Sequence, residues 1–262
     1  MAATTVTARR QLSLPSWWLS VVGVVGLILL WQLAGTTLYS DSGVIPTPTD
    51  IIHQMQKDGF DFYWTNAKAT MSAAMWGWLY GNILAISLAL VVIIVPVFEK
   101  PLLQLGVASY CLPIVAIGSI FVIVFDGNQP KIVLAAMQVF FTTLVGAVVG
   151  LRSADKASLD VVHAYGGGRG KQLAKVRLKS SLPSLFASLR IAAPAAVLGA
   201  IIAEYLGAEK GLGVAMIASQ QALMIERTWA LCIVATICAG VGYGVTAIVG
   251  RLLTPWAPRG QR

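Results

Sequence analysis

The sequence predicts an all-α integral membrane protein with six transmembrane helices, and three observations carry that prediction. Of 262 residues, 57% are hydrophobic and 11% are charged, less than half the roughly one quarter typical of a soluble domain. The charges are clustered, leaving uncharged gaps of 30, 30, 25, 20 and 23 residues, and a helix crosses the hydrocarbon core with about 20 apolar residues. Finally, the basic residues fall mostly on alternate connections between the gaps. Soluble globular, disordered and fibrous classes are excluded.

The spans follow in order. The gap from Arg10 to Asp41 holds the first, about 17–38, too long for a signal-peptide core and preceded by Arg9 and Arg10. In the next connection, Pro-Thr-Pro-Thr-Asp suggests Thr49 or Asp50 as a helix N-cap before Ile51. Spans at 69–97 and 101–125 flank a short turn between Pro96 and Pro101 that carries Glu99 and Lys100. The turn signal Asp126-Gly127-Asn128, with Pro130 suited to a first helical turn, introduces a span at 130–151. The fifth, 181–206, is interrupted by Arg190 and is long enough if that side chain lies near one face and snorkels outward. The sixth covers 228–252.

Six spans put both termini on one side. With that side inside, inner segments hold 14 of the 19 basic residues, Arg190 included, and outer segments hold eight of the eleven acids. The positive-inside rule favours this N-in/C-in orientation. Topology thereby explains the net charge of +8, and no nucleic-acid partner is implied. Anionic lipid at the inner leaflet or an acidic protein surface is the natural neighbour. Trp17, Trp18, Trp64 and Trp256 sit where interfacial aromatics are expected. Cys111, Cys232 and Cys238 lie within apolar segments, and His53 and His163 have no ligating cluster beside them. Neither a disulfide framework nor a metal site is expected.

One inner loop, 152–180, stands apart. Leu159, Val162 and Gly166 recur at helical spacing, Asp155 or Ser158 is a candidate cap, and Gly166 suits a left-handed C-terminal position. A second stretch runs from Gln172 to Ser180. A helix this short is marginal alone and needs a surface to dock on. The run Gly166-Gly167-Gly168-Arg169-Gly170-Lys171 is not a phosphate loop. It is one residue short, Gln172 replaces Ser/Thr, and no strand precedes it.

Asp160-Val161-Val162, then Gly166, then Leu182-Pro183 sixteen residues further on resembles the EAA motif of permease subunits in binding-protein-dependent ABC importers. Ala164-Tyr165-Gly166 with Arg169, Ser181-Leu182-Pro183 with Leu189-Arg190, Ala203-Glu204-Tyr205-Leu206, Gly211-Leu212-Gly213 and Leu253-Thr254-Pro255-Trp256 are similar to the nitrate/sulfonate/taurine class. The likeness runs from Ile45-Pro46-Thr47-Pro48 to Trp256. It departs in Asp-Val-Val for Glu-Ala-Ala, in Lys179 where many relatives have proline, and in Gly167-Gly168. The resemblance implies a type I importer permease of MetI-like architecture. One membrane domain, 17–256, would lie between inner tails 1–16 and 257–262. It would reside in a bacterial inner membrane, paired with a second permease copy, two cytoplasmic ATPase subunits and an external binding protein. ATP and Mg would be bound by the ATPases, leaving this chain without a cofactor or a catalytic role. Asp160, Val161, Val162, His163, Ala164, Tyr165, Gly166, Gly167, Gly168 and Arg169 would form the coupling element. The solute would be a sulfonate, taurine or nitrate, or a small heterocyclic compound.

Other features keep two readings. Glu204 is the one acid inside a proposed span, either a functional group or an interfacial partner of Lys210. Ala192, Ala196, Gly199 and Ala200 form a small-residue face that either packs within the chain or lines the passage. Pro113 and Pro194 free backbone groups at membrane depth, and Pro113 joins the pathway candidates as a place for bending. A secondary transporter driven by an ion gradient is the alternative, disfavoured by the scarcity of mid-membrane charge and of broken-helix repeats.

Overall fold

The computed structural model describes residues 16–37 and 45–257. Arg9, Arg10, Leu38, Asp41, Arg259 and Arg262, with nearly all of both predicted tails, lie outside the described residues. Every regular element among those described is helical. Four helices are long and apolar enough to cross a membrane, and a bent pair brings the number to five.

The first helix, α1 (Ser16–Thr37), meets the rest at its end, where Gly35 packs against Thr47 and Gln32 Nε2 donates to Thr49 Oγ1 at 3.1 Å. Next comes α2 (Pro48–Asp58), capped by Thr47 rather than by Thr49 or Asp50. Pro48 begins the helix at a position where its missing N–H costs nothing. Asp50 is the third helical residue, completing a capping box with Thr47 through bonds of 3.2 Å each way.

The long α3 (Phe60–Ile94) begins nine residues before the expected 69. Asp61, Asn66 and Lys68 sit on an N-terminal extension of the helix, where hydropathy suggested a loop. It stops short of the expected 97 because Pro96 disfavours helical geometry before it. The third expected span, 101–125, is not continuous. After a 3₁₀ turn (Pro96–Phe98), α4 (Glu99–Cys111) and α5 (Ile114–Val124) meet at a 90° bend. Pro113 supplies no N–H and forces Leu112 into extended geometry, with ψ at 131°.

The centre is α6 (Gln129–Arg152), close to the predicted 130–151. Gly77 and Gly81 of α3 lie so near its backbone that an added Cβ would come within 2.3 Å of Ala135 Cβ and 2.6 Å of Ala136 O. From the other side Gly199 approaches the Ala135 Cα, where a Cβ would sit at 2.8 Å. Such contact is how helices gain adhesion inside lipid.

The chain then forms a short helix, α7 (Lys156–Ala164), and enters α8 (Arg169–Gln172), which runs through a π-helical turn (Leu173–Arg177) into α9 (Leu178–Gly207). Residues 169–180, expected in the inner loop, thus extend the fifth span, giving one 39-residue helix from Arg169 to Gly207. A short α10 (Leu212–Gln221) precedes α11 (Ile225–Leu253), the last span.

Contacts fix the depth of Arg190. Gly146 meets Ser188, Gly150 meets Ser181, and Gly199 meets Ala135, so Arg190 stands level with about Leu144. Its Cα is therefore some 12 Å short of Arg152 at 1.5 Å per residue, deeper than a position near one face. The side chain turns to α11, with its guanidinium carbon 5.6 Å from the Tyr243 ring centroid.

At the opposite end, Asp58 of α2 pairs with Arg227 of α11, and Nε donates to Oδ2 at 2.9 Å. Tyr63 and Gln54 each donate to the same carboxylate at 2.7 Å. Burial alone pushes the Asp58 carboxyl up. The bonds from Arg227, Tyr63 and Gln54, with the Arg227 charge, more than reverse this and hold it below the ordinary carboxylate value. A carboxylate lowered on folding stabilises the fold fully above its unfolded value, about 3.9, and loses that contribution as pH falls through the lower folded value. Asp58→Asn should therefore destabilise the protein by about 2 kcal/mol at neutral pH, the worth of a charged hydrogen-bonded pair. Thermal unfolding in detergent should show that deficit unchanged from pH 7 to 5 and shrinking below about pH 4. A deficit that grows on acidification would contradict this account.

Candidate functional site

Helix α7 is a capped unit with little to rest on. Asp155 accepts the Ser158 N–H at 3.2 Å. At the other end Gly166 takes φ of 72°, Gly166 N–H donates to His163 O at 2.9 Å, and Gly167 N–H donates to Val162 O at 2.8 Å. This pair of bonds is a Schellman motif, which terminates a helix through a left-handed residue. Gln172 Nε2 donates to Leu159 O at 3.2 Å, tying α7 to the start of α8.

Leu159 and Val162 are half-buried on that side, and Gly167 is buried. Asp160, Val161, His163, Ala164, Tyr165, Gly166, Gly168 and Arg169 are exposed, with Tyr165 88% exposed. Val161 and Tyr165, four apart, put an apolar pair on one open face.

At the C-terminal end of α9 lies a buried polar knot. Glu204 is 1% exposed. The Thr70 hydroxyl of α3 lies 2.9 and 3.0 Å from its two oxygens, and Gly213 N–H donates to Oε2 at 2.9 Å. Thr70 Oγ1 in turn accepts Leu212 N–H at 2.9 Å, and Asn66 Oδ1 accepts Gly211 N–H at 3.3 Å. Glu204 thus binds the first turn of α10, where free N–H groups favour an acceptor. The bond to Lys210 considered from sequence is not the one formed. Lys210 offers its backbone carbonyl to Lys131 Nζ at 3.1 Å.

Gly211-Leu212-Gly213 has a steric reason. Gly211 has φ of 140°, and a Cβ there would lie 2.0 Å from Glu204 Oε1. A Cβ on Gly213 would meet Ile201 O at 2.7 Å. Only glycine lets the backbone sit on the carboxylate. Thr70, Asn66 and Lys131 were missed from sequence. The one signal for the knot was a lone acid followed closely by Gly-x-Gly.

The small-residue face is buried. Ala192, Ala196 and Ala200 are at most 1% exposed, and Gly199 abuts Ala135. These four positions are packed within the chain. Pro113 is exposed at the bend between α4 and α5. The structure does not bring Glu204, Pro113 and the α7 residues together.

Residues 81–257 match the family described as binding-protein-dependent transport system inner membrane component. Over 213 residues the chain is 28% identical to a probable ABC transporter permease protein of Haemophilus influenzae, covering 81% of this chain and 86% of that one. It is 28% identical over 188 residues to a formylaminopyrimidine transport permease protein of Halalkalibacterium halodurans, covering 71% and 75%. It is 24% identical over 252 residues to a taurine transport system permease protein of Escherichia coli, covering 91% and 89%.

Substitutions at the knot should rank by what they leave unbonded. Glu204→Gln keeps an acceptor for Gly213 N–H and should cost about 1 kcal/mol, whereas Glu204→Leu strands that donor and the Thr70 hydroxyl and should cost about 3 kcal/mol. Gly211→Ala should be at least as damaging as Glu204→Leu, because its Cβ has no space. Melting temperatures of the purified variants would check the order, and an intact Gly211→Ala protein would refute the steric argument.

Proposed function

Because the chain belongs to the family of binding-protein-dependent transport system inner membrane components, we propose that it forms half of the passage of an ATP-driven importer. A second copy supplies the other half, an external binding protein delivers the solute, and two cytoplasmic ATPase subunits bind ATP and Mg. The chain itself performs no bond chemistry. It converts ATPase closure into alternating access through six spans, with α1 as the first and both termini inside.

One observation supports the coupling role above others. A fully capped helix, α7, hangs between two spans with Val161 and Tyr165 exposed on its free face. A nine-residue helix gains little by itself, and exposed apolar groups on a rigid turn suit a groove on a partner. Residues Asp160 to Arg169 are assigned to that contact. The basic residues around it, Lys156, Arg169, Lys171, Lys175 and Lys179, suit the inner side of the membrane. The solute is small, in the range of sulfonates, taurine, nitrate and heterocyclic compounds.

Two measurements test this reading. In intact cells a membrane-impermeant thiol reagent should modify a cysteine introduced at Lys57 and spare one at Lys171, both exposed positions. The reverse pattern would overturn the orientation. Gly166→Trp places a side chain at positive φ, costing about 1 kcal/mol, and adds bulk beside the free face. It should leave the permease in the membrane while cutting co-purifying ATPase or its stimulation by loaded binding protein at least several-fold. Full assembly with full stimulated turnover would remove α7 from the coupling role.

A further inference from the structure

The bend between α4 and α5 opens a cavity of ≈ 290 Å³ lined by Ser109, Tyr110, Leu112, Ile114, Met137 and Gln138. Its depth is set by α6. The uncharged stretch of that helix, 132–151, is 20 residues long, and Gln138 lies about 5 Å from its midpoint at 1.5 Å per residue. Irregular backbone this deep is tolerated only where protein or a water-filled space covers it. Here the helix ladder is broken. Leu112 N–H bonds Ala108 O, Ala116 and Ile117 both turn back to Pro113 O, and among the described residues no backbone bond links Ile114 or Val115 to α4.

The side chains add a consistent chemistry. The Gln138 carboxamide is half-exposed and makes no hydrogen bond among the described residues. Tyr110 packs against Phe141 with centroids 5.1 Å apart, yet remains 64% exposed, so a second ring can lie on it. Among the described residues, none that lines the cavity is charged. The nearest cation in depth, Arg190, is turned to α11.

An oxyanion brought to this depth would find no countercharge, and an uncompensated charge there is costly. A planar uncharged ring would find an aromatic face for stacking. It would also find a carboxamide that both donates and accepts along one edge, the way a Gln side chain pairs with an aminopurine edge.

We propose that this cavity is a solute site within the passage, and that it takes an uncharged nitrogen heterocycle of the aminopyrimidine type, stacked on Tyr110 and hydrogen-bonded by Gln138. The inference rests on the importer reading and narrows its solute to one of the chemistries left open there.

The complete importer, purified with its own ATPase and binding protein and placed in proteoliposomes, is offered five labelled probes: a formylaminopyrimidine, cytosine, taurine, ethanesulfonate and nitrate. Uptake of a pyrimidine and of none of the three anionic or zwitterionic probes is the expected result. Gln138→Leu should lower that uptake at least tenfold with the complex still assembled, and Gln138→Asn should recover a substantial part of it. Uptake of taurine, ethanesulfonate or nitrate overturns the proposal, as does uptake of none of the five by an assembled, hydrolysing complex. Equal uptake by Gln138→Leu and the parent, or no recovery in Gln138→Asn, removes Gln138 from the site. Failure of the importer reading looks different: no ATPase co-purifies.

Discussion

Inside a bilayer, apolar side chains gain almost nothing by leaving lipid for one another, so helices must be held by contact between backbones. In this chain that contact is concentrated around Ala135. Gly77 and Gly81 press on one side of α6 and Gly199 on the other, each too close to admit a methyl group without movement. Three spans are joined along this line, and the remaining elements are placed by reference to it. Leu134, Ala135, Val139 and Ala200 are completely buried there. By contrast α11, equally hydrophobic, is only 6% buried over its most apolar window.

Polar bonds then close the two ends of this block. Toward the predicted inner side, Arg152 pairs with Glu99, and Arg177 reaches Leu151 O at 3.1 Å. At the other end Glu204 holds α3, α9 and α10 together through Thr70 and the Gly213 N–H. Between them, Thr143 donates to Asn82 at 2.6 Å, and Trp78 Nε1 donates to Leu189 O at 3.3 Å. No buried side-chain nitrogen or oxygen among the described residues lacks a partner, as a low-dielectric surrounding demands.

The sequence revealed most where a single physical term dominates. Charge-free runs located α6 and α11 within three residues at each end, because lipid solvation is all that decides them. Gly166 was legible because a left-handed position at a helix end has few other solutions. The start of α3 was not, since a helix can continue past the bilayer once Tyr63 bonds Asp58 of α2 and Asn66 accepts the Gly211 N–H. The bend at Pro113 was visible as a weak point, but proline in a span allows either a kink or a break. The partners of Glu204 were hidden because Thr70 and Gly213 are 134 and nine residues away, and one sequence carries no record of such pairings. The neighbour of Ala192 and Ala196 was hidden too, because the sequence does not say which helix their small-residue face packs against.

The glycine line around Ala135 also determines how stiffness is distributed through the chain. Joined spans tilt together as a plate, and the 39-residue helix from Arg169 to Gly207 runs along that plate with α7 clipped to its foot. The α4–α5 pair is attached differently: Gly106 rests on Leu144 and Phe141 of α6, whereas Gly118 rests on Leu206 of α9 and Leu134 of α6. Between those footholds only Leu112 and Pro113 connect the halves. On the coupling role proposed for α7, a thrust there would turn the plate as a body, and the chain would yield at the two-residue seam of Leu112 and Pro113.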